Sequence, residues 1–253
     1  MSETKRIKVI EKMIDIMSLF LKKERPMGIS EISDELSIYK SSVHRILNTL
    51  KSRGYIIQEQ ETKKYWLGSK FYSLGMIYKD KLKIENYVNR DMKELADEFN
   101  ETVHLAIYDE LDYCNIIALE QVETRQRLSM TPPPGSRTPT HASALGKSML
   151  AFSNKDIQNT VINSKLEKYT ENTIVSKKIL KKELKLIKNQ GYAIDNEELE
   201  SGLTCIACPI LDEKGEGIAS ISVSGPKGRI LERKSEIIEK LKNVTNQINY
   251  RFN

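Results

Sequence analysis

The chain has 253 residues, 39% of them hydrophobic and 30% charged, with three cysteines and a formal net charge of +5. That is an ordinary soluble mixture, long enough for one large domain or two smaller ones with real cores, and it has no apolar stretch of membrane-spanning length. The charge is uneven: residues 1–81 carry 16 Lys and Arg against 10 Asp and Glu, whereas residues 82–253 carry 24 against 25. A basic amino-terminal third suits a piece that neutralises phosphates, joined to a near-neutral piece with another task.

The apolar residues Ile10, Met13, Ile14, Met17, Phe20 and Leu21 recur at helical spacing and predict a first amphipathic helix over 7–21, ending before Pro26-Met27-Gly28. A short second helix should follow, with Ser30 as N-cap, Ile29 as hydrophobic staple and Ile32 and Leu36 inward. After a turn at 37–39, a third helix is expected from Lys40 to Arg53, stopped by Gly54, with Val43, Ile46, Leu47 and Leu50 inward. Tyr55-Ile56-Ile57 and Lys64-Tyr65-Trp66-Leu67 flank a polar run and read as a hairpin. Three helices and a two-stranded wing make the order of a winged helix-turn-helix.

Phe71, Leu74 and Ile77 suggest a linking helix over 69–81, and Ile84, Val88, Met92, Leu95 and Phe99 a longer one after it. Strands are then expected at 103–108, 113–119, 126–130, 192–195, 203–211 and 217–224, with helices at 141–152 and 177–188 and a last one through Ile237, Leu241, Val244 and Ile248. The proline run 132–134 breaks regular structure, and Asp212 to Gly215 is spaced as a hairpin turn. This mixture predicts an α+β protein: a winged helix-turn-helix at 1–68, a linking helix at 69–81, and an antiparallel-sheet domain at 82–253.

The third helix concentrates polar chemistry. Opposite its apolar side stand Lys40, Ser41, Ser42, His44, Arg45, Asn48 and Thr49, with Arg53 near its end and Lys63 and Lys64 at the wing tip. Hydroxyls can bond phosphates or base edges, Arg can fork onto guanine, and Asn can pair with adenine. An isolated polar helix face would read as merely solvated. Here the short preceding helix, the tight turn, the hairpin and the basic excess coincide, which points to double-stranded DNA.

The run Ile29-Ser-Glu-Ile-Ser-Asp-Glu-Leu to Arg53-Gly-Tyr, with Tyr65-Trp-Leu-Gly after it, resembles the amino-terminal domain of the IclR-type bacterial regulators. His141-Ala-Ser-Ala-Leu-Gly-Lys147, Gly191-Tyr-Ala-Ile-Asp, Gly202-Leu-Thr-Cys-Ile-Ala-Cys-Pro and Ala219-Ser-Ile-Ser-Val-Ser-Gly-Pro226 resemble motifs of the carboxy-terminal half of that family, in the same order. The resemblance implies a GAF/PAS-like effector domain and a transcriptional regulator. It also implies a pseudo-palindromic operator and a homodimer or dimer of dimers, most often repressing a catabolic operon.

Read chemically, residues 141–147 open a helix whose first N–H groups lack partners and favour an anion. Ala142, Ser143 and Ala144 are small, and Asp195, Cys205 and Ser222 lie on strands nearby in the pattern. Such groups suit a small organic acid effector, a keto, hydroxy or sugar acid. The resemblance assigns contacts to the backbone of Ala144 and Leu145 and to Asp195 and Cys205, and walls to Met130, Thr138, Leu203 and Ser222. Alternatively, His141 and Ser143 only cap the helix, and Cys205 is a small core residue.

Two rivals remain at this level. Cys205, His141 and Asp195 are the residue types of a thiol-nucleophile triad, although no nucleophile elbow accompanies them. A ligand-free architectural DNA-binding protein is the other. Cys205 and Cys208 form a C-x-x-C without a second ligand pair, so neither metal nor other cofactor is expected. Three cysteines without framework spacing and a polar start without a signal segment predict a cytoplasmic protein free of the membrane.

Overall fold

A computed structural model of the chain describes residues 6–82, 84–123 and 133–252 and divides it into two compact units that meet after Leu82. The expected strand at 126–130, with Met130, lies outside the described residues. In the first unit, α1 (Lys8–Lys23), α2 (Ile29–Leu36) and α3 (Lys40–Ser52) precede a hairpin of β1 (Ile56–Gln58) and β2 (Tyr65–Leu67), followed by α4 (Ser69–Leu82). The hairpin is antiparallel, with Ile57 opposite Trp66, and Met27 adds a bridge to Tyr65 on its other edge. Ile16, Leu19, Phe20, Met27, Ile32, Val43, Leu47, Ile56 and Tyr65 form one core, so the wing is packed onto α1, α2 and α3 by side chains from each of those helices and from both strands.

Two local expectations are corrected. Gly28, in extended backbone, is the N-cap of α2, and Ser30 lies inside the helix. On α1 the buried residues are Ile16, Leu19 and Phe20, whereas Ile10, Ile14 and Leu21 are 45%, 52% and 61% exposed. Helix α4 likewise buries none of its side chains within its own unit, leaving Tyr72, Leu74 and Ile77 exposed.

Among the described residues, the second unit is built on six antiparallel strands in the order β5-β4-β3-β8-β7-β6: β3 (Thr102–Tyr108), β4 (Asn115–Val122), β5 (Arg137–Pro139), β6 (Ala193–Asn196), β7 (Leu203–Leu211) and β8 (Gly217–Pro226). Helices α5 (Glu85–Phe99) and α10 (Lys234–Phe252) pack on it and on one another; α6 (Ala144–Phe152) packs against β7 and β8 and also touches α7 (Lys155–Asn163) and α8 (Lys177–Gln190). The short α9 (Lys227–Glu232) leads from β8 into α10.

Strand alternation sorts the two faces of this sheet. Val103, Leu105, Ile206, Ile221 and Val223 share one face, while His104, Ala106, Ala207, Ser220, Ser222 and Ser224 share the other. The second face is made of small and polar residues, so α6 can approach it closely: Ser148 Oγ lies 2.6 Å from Ser220 Oγ. A 3-10 turn at Thr140–Ala142 feeds α6. There a side chain on Gly146 would place its Cβ 2.4 Å from the Thr140 carbonyl oxygen, which is why that turn and helix start require glycine.

Candidate functional site

On α3, Val43, Ile46 and Leu47 are buried, and Lys40, Ser41, His44, Arg45, Asn48 and Thr49 are exposed on the other side. Ser41, His44, Arg45 and Asn48 follow helical spacing and form a continuous outward stripe. Ser42 is half-buried and, with Arg45 and Thr49, borders a groove against α1. The stripe is partly ordered from within: Asn48 Nδ2 lies 3.2 Å from a ring nitrogen of His44, and Thr49 Oγ1 donates to the Arg45 carbonyl at 2.9 Å. Arg53 is the C-cap of α3, and Lys63 and Lys64 sit exposed at the turn of the hairpin, Lys63 with positive φ. Among the described residues, Lys40, Arg45, Arg53 and Lys63 form no ion pair, so their charge is open to an anionic partner. Tyr39, 83% exposed at the N-cap of α3, extends the same surface; sequence reading placed it only in a turn.

In the second unit, Thr138, Ala144, Leu145, Asp195, Leu203, Cys205 and Ser222 line one cavity of about 50 Å³. The remaining wall includes His104, Ser143, Leu199 and Ser224, none of which was expected as a contact, and Ala106, Ile116 and Ala118. Ser143 is the N-cap of α6; its Oγ accepts from Gly146 N at 3.1 Å and donates to Pro139 O at 3.0 Å. The N–H groups of Ala144 and Leu145 stand at the start of the helix without intrahelical acceptors, beside the cavity, where the helix dipole favours negative charge.

Asp195 is 2% exposed, and burial lifts its carboxyl from the usual 3.8 to about 7. Its Oδ1 accepts from Glu198 N at 2.6 Å. Behind it, Lys147 is wholly buried and donates to the Ile194 carbonyl at 2.8 Å and to the carboxylate of Glu198. The ammonium opposes the upward shift on both carboxylates, yet desolvation outweighs it in each. At near-neutral pH Asp195 is therefore divided between acid and carboxylate, and can either give or take a hydrogen bond.

The thiol triad is not assembled. His141 does not line the cavity; its Nε2 lies 3.0 Å from the Glu167 carbonyl oxygen. Burial and the charge of Asp195 push the Cys205 thiol far up, which keeps it protonated and a poor nucleophile. Cys208 is three residues along the same strand and so on the opposite face, against Ile221, where burial pushes its thiol up to about 12. The two sulfurs of the C-x-x-C cannot close on one ion, and no metal-binding cluster occurs among the described residues. Nor does any described helix have the length and apolarity to cross a membrane.

Residues 9–60 match the IclR helix-turn-helix domain, and residues 76–250 match the family of the carboxy-terminal domain of bacterial transcriptional regulator IclR. The chain is 35% identical over 236 residues to the HTH-type transcriptional regulator KdgR of Dickeya chrysanthemi, covering 91% of this chain and 76% of that protein. It is 32% identical over 207 residues to the transcriptional repressor IclR of Escherichia coli K12, covering 81% and 75%. In fold it is similar to an IclR homolog from Microbacterium hydrocarbonoxydans crystallised with 4-hydroxybenzoate, with a TM-score of 0.84 over 96% of this chain and 98% of that one at 21% identity.

Proposed function

Since the chain belongs to the IclR family of bacterial transcriptional regulators, we propose that this DNA-binding regulator is a repressor of a catabolic operon, released or retained by a small carboxylate or sugar acid in the cavity of its second unit. The observation that carries the proposal is the cavity itself. It combines free N–H groups at the start of α6, a carboxyl poised near neutrality, a hydroxyl wall and an apolar rim of Leu145, Leu199 and Leu203. An organic acid answers each: its carboxylate takes the N–H groups, its oxygens bond Asp195 and Ser222, and its carbon chain meets the leucines.

Residues Ser41, Ser42, His44, Arg45, Asn48 and Thr49 then face the major groove, with Lys40 and Arg53 at the ends of α3 and Lys63 and Lys64 on phosphates. The exposed apolar residues of α1 and α4 favour self-association, so the active species is a homodimer or dimer of dimers on a pseudo-palindromic site. Ligand acts through α4 and changes operator affinity by its differential affinity for the two arrangements. The relatives are regulators rather than enzymes, and one bears the name of repressor. Thermal unfolding against a panel of oxo, hydroxy and sugar acids tests the effector. A melting temperature that rises with concentration supports it, and indifference to the whole panel contradicts it.

A further inference from the structure

Three buried side-chain polar atoms have no hydrogen-bond partner among the described residues: Nε2 of His104, Oε2 of Glu198 and Oγ1 of Thr204. Glu198 is held through its other oxygen by Lys147, and Thr204 does not line the cavity. His104 does. It stands mid-strand in β3, paired with Ser222 of β8, and is 4% exposed. Its Nδ1 lies 3.5 Å from Ser224 Oγ, itself 3.4 Å from Ser222 Oγ.

A buried ring nitrogen without a partner costs the folded protein stability, and one in the wall of a cavity can recover that cost by bonding a molecule held there. Burial also holds the imidazole neutral, lowering it from 6.5 to about 4, so one nitrogen is a donor and the other an acceptor. The Ser224 hydroxyl can donate to Nδ1 or accept from it. Nε2 is accordingly free to donate to an oxo oxygen or to accept from a hydroxyl.

We propose that His104 is a specificity-determining residue of the effector cavity. Its Nε2 bonds an oxo or hydroxyl oxygen of the acid, so that the site selects substituted acids over unsubstituted acids of the same length. This rests on the reading of the cavity as an effector site and adds a residue and a selectivity to it. The carboxylate is held at the start of α6, while His104 on the sheet reads the rest of the molecule. An unsubstituted acid leaves Nε2 buried and unpaired, which a buried polar atom penalises more than the lost bond alone.

The test is thermal unfolding of the full chain with pyruvate, lactate and gluconate, each set against its unsubstituted counterpart, propionate or hexanoate. The variants are His104→Leu and His104→Gln. The wild type should respond to at least one substituted acid at a concentration where its counterpart has a smaller effect. His104→Leu should weaken the response to that acid about tenfold without weakening the response to the counterpart, and His104→Gln should restore part of it. Because leucine removes both the unpaired Nε2 and the contact of Nδ1 with Ser224, the acid-dependent shift of each variant is read against its own melting temperature without acid. A Leu variant that responds to the acids as the wild type does overturns the proposal while leaving the effector site standing. A wild type indifferent to all five acids overturns both.

Discussion

The backbone N–H of Glu198 donates to Oδ1 of Asp195 at 2.6 Å, and the Glu198 carboxylate turns back to Lys147 on α6. A carboxyl lining the cavity is thereby tied to a buried cation on the helix whose first turn faces the same cavity. Anything that alters the charge of Asp195 is felt at both the cavity and the packing of α6 on the sheet.

Asp195 and His104 give opposite pH dependences to stability. Folding raises Asp195 from 3.8 to about 7, so across that window the folded protein holds a proton that the unfolded chain has lost, and stability falls as pH rises. Folding lowers His104 from 6.5 to about 4, so the unfolded chain takes up the extra proton, and stability rises with pH between those values. The two slopes oppose. Asp195→Asn removes only the first, so denaturant unfolding of this variant should show stability climbing more steeply from pH 4.5 to 6.5 than in the wild type. At pH 8 the variant should be the more stable by roughly 1–3 kcal/mol. Parallel profiles would mean that Asp195 is not held near neutrality.

Lys147→Met removes the cation from a buried pair. The expected loss is about 3–5 kcal/mol, because Glu198 is left buried without its partner. Adding Glu198→Gln should recover a large part of that loss, since the double variant buries no unpaired charge. A double variant no better than Lys147→Met would show that the bond from the ammonium to the Ile194 carbonyl, rather than the pair with Glu198, is what α6 requires.

Gly146→Ala should destabilise the second unit by about 1–3 kcal/mol, because the new Cβ meets the Thr140 carbonyl and neither backbone segment can yield freely. It should also weaken binding of any acid that stabilises the wild type, by displacing the N–H groups of Ala144 and Leu145. Calorimetric unfolding and ligand titration of the one variant read both effects.

Much of this was legible in the sequence. The elements of the first unit follow from helical spacing, Gly54 and the β-prone runs, whereas Asp195, Cys205 and Ser222 were reached through their chemistry and the family resemblance, and the helix expected from His141 begins at Ala144 after a 3-10 turn. What was missed has physical causes. On α1 apolar residues occupy more than one face, so periodicity could not choose between Ile16 and Leu19, which pack inside, and Ile10 and Ile14, which do not. Strand β5 has three residues, too few to show a period, and α7 buries only Val161 and Ile162. His104 was hidden because a lone histidine in an apolar strand reads as core; only its unpaired Nε2 and its place in the wall separate it from one. Ser224 had a signal that could have found it: Ser220, Ser222 and Ser224 alternate within a strand that is otherwise apolar.

Arg45→Ala should weaken binding to a selected DNA site by about 1–3 kcal/mol and relax discrimination at one base, while binding to random duplex falls less. Lys63→Ala should weaken both alike and reduce the salt dependence, as expected of a phosphate contact. Fluorescence anisotropy with the two kinds of duplex at several salt concentrations separates them. Equal losses for Arg45→Ala would make it a backbone contact only.

The most direct measurement is selection of duplexes from a randomised pool by the full chain at moderate salt, followed by sequencing of the bound fraction. A reader of DNA through paired α3 helices should enrich an inverted repeat, its half-sites about one helical turn or a multiple apart, and Arg45→Ala should lose that enrichment. A bound pool with no sequence in common, or one unchanged by the loss of Arg45, would contradict the assignment of the outward stripe of α3 to base pairs.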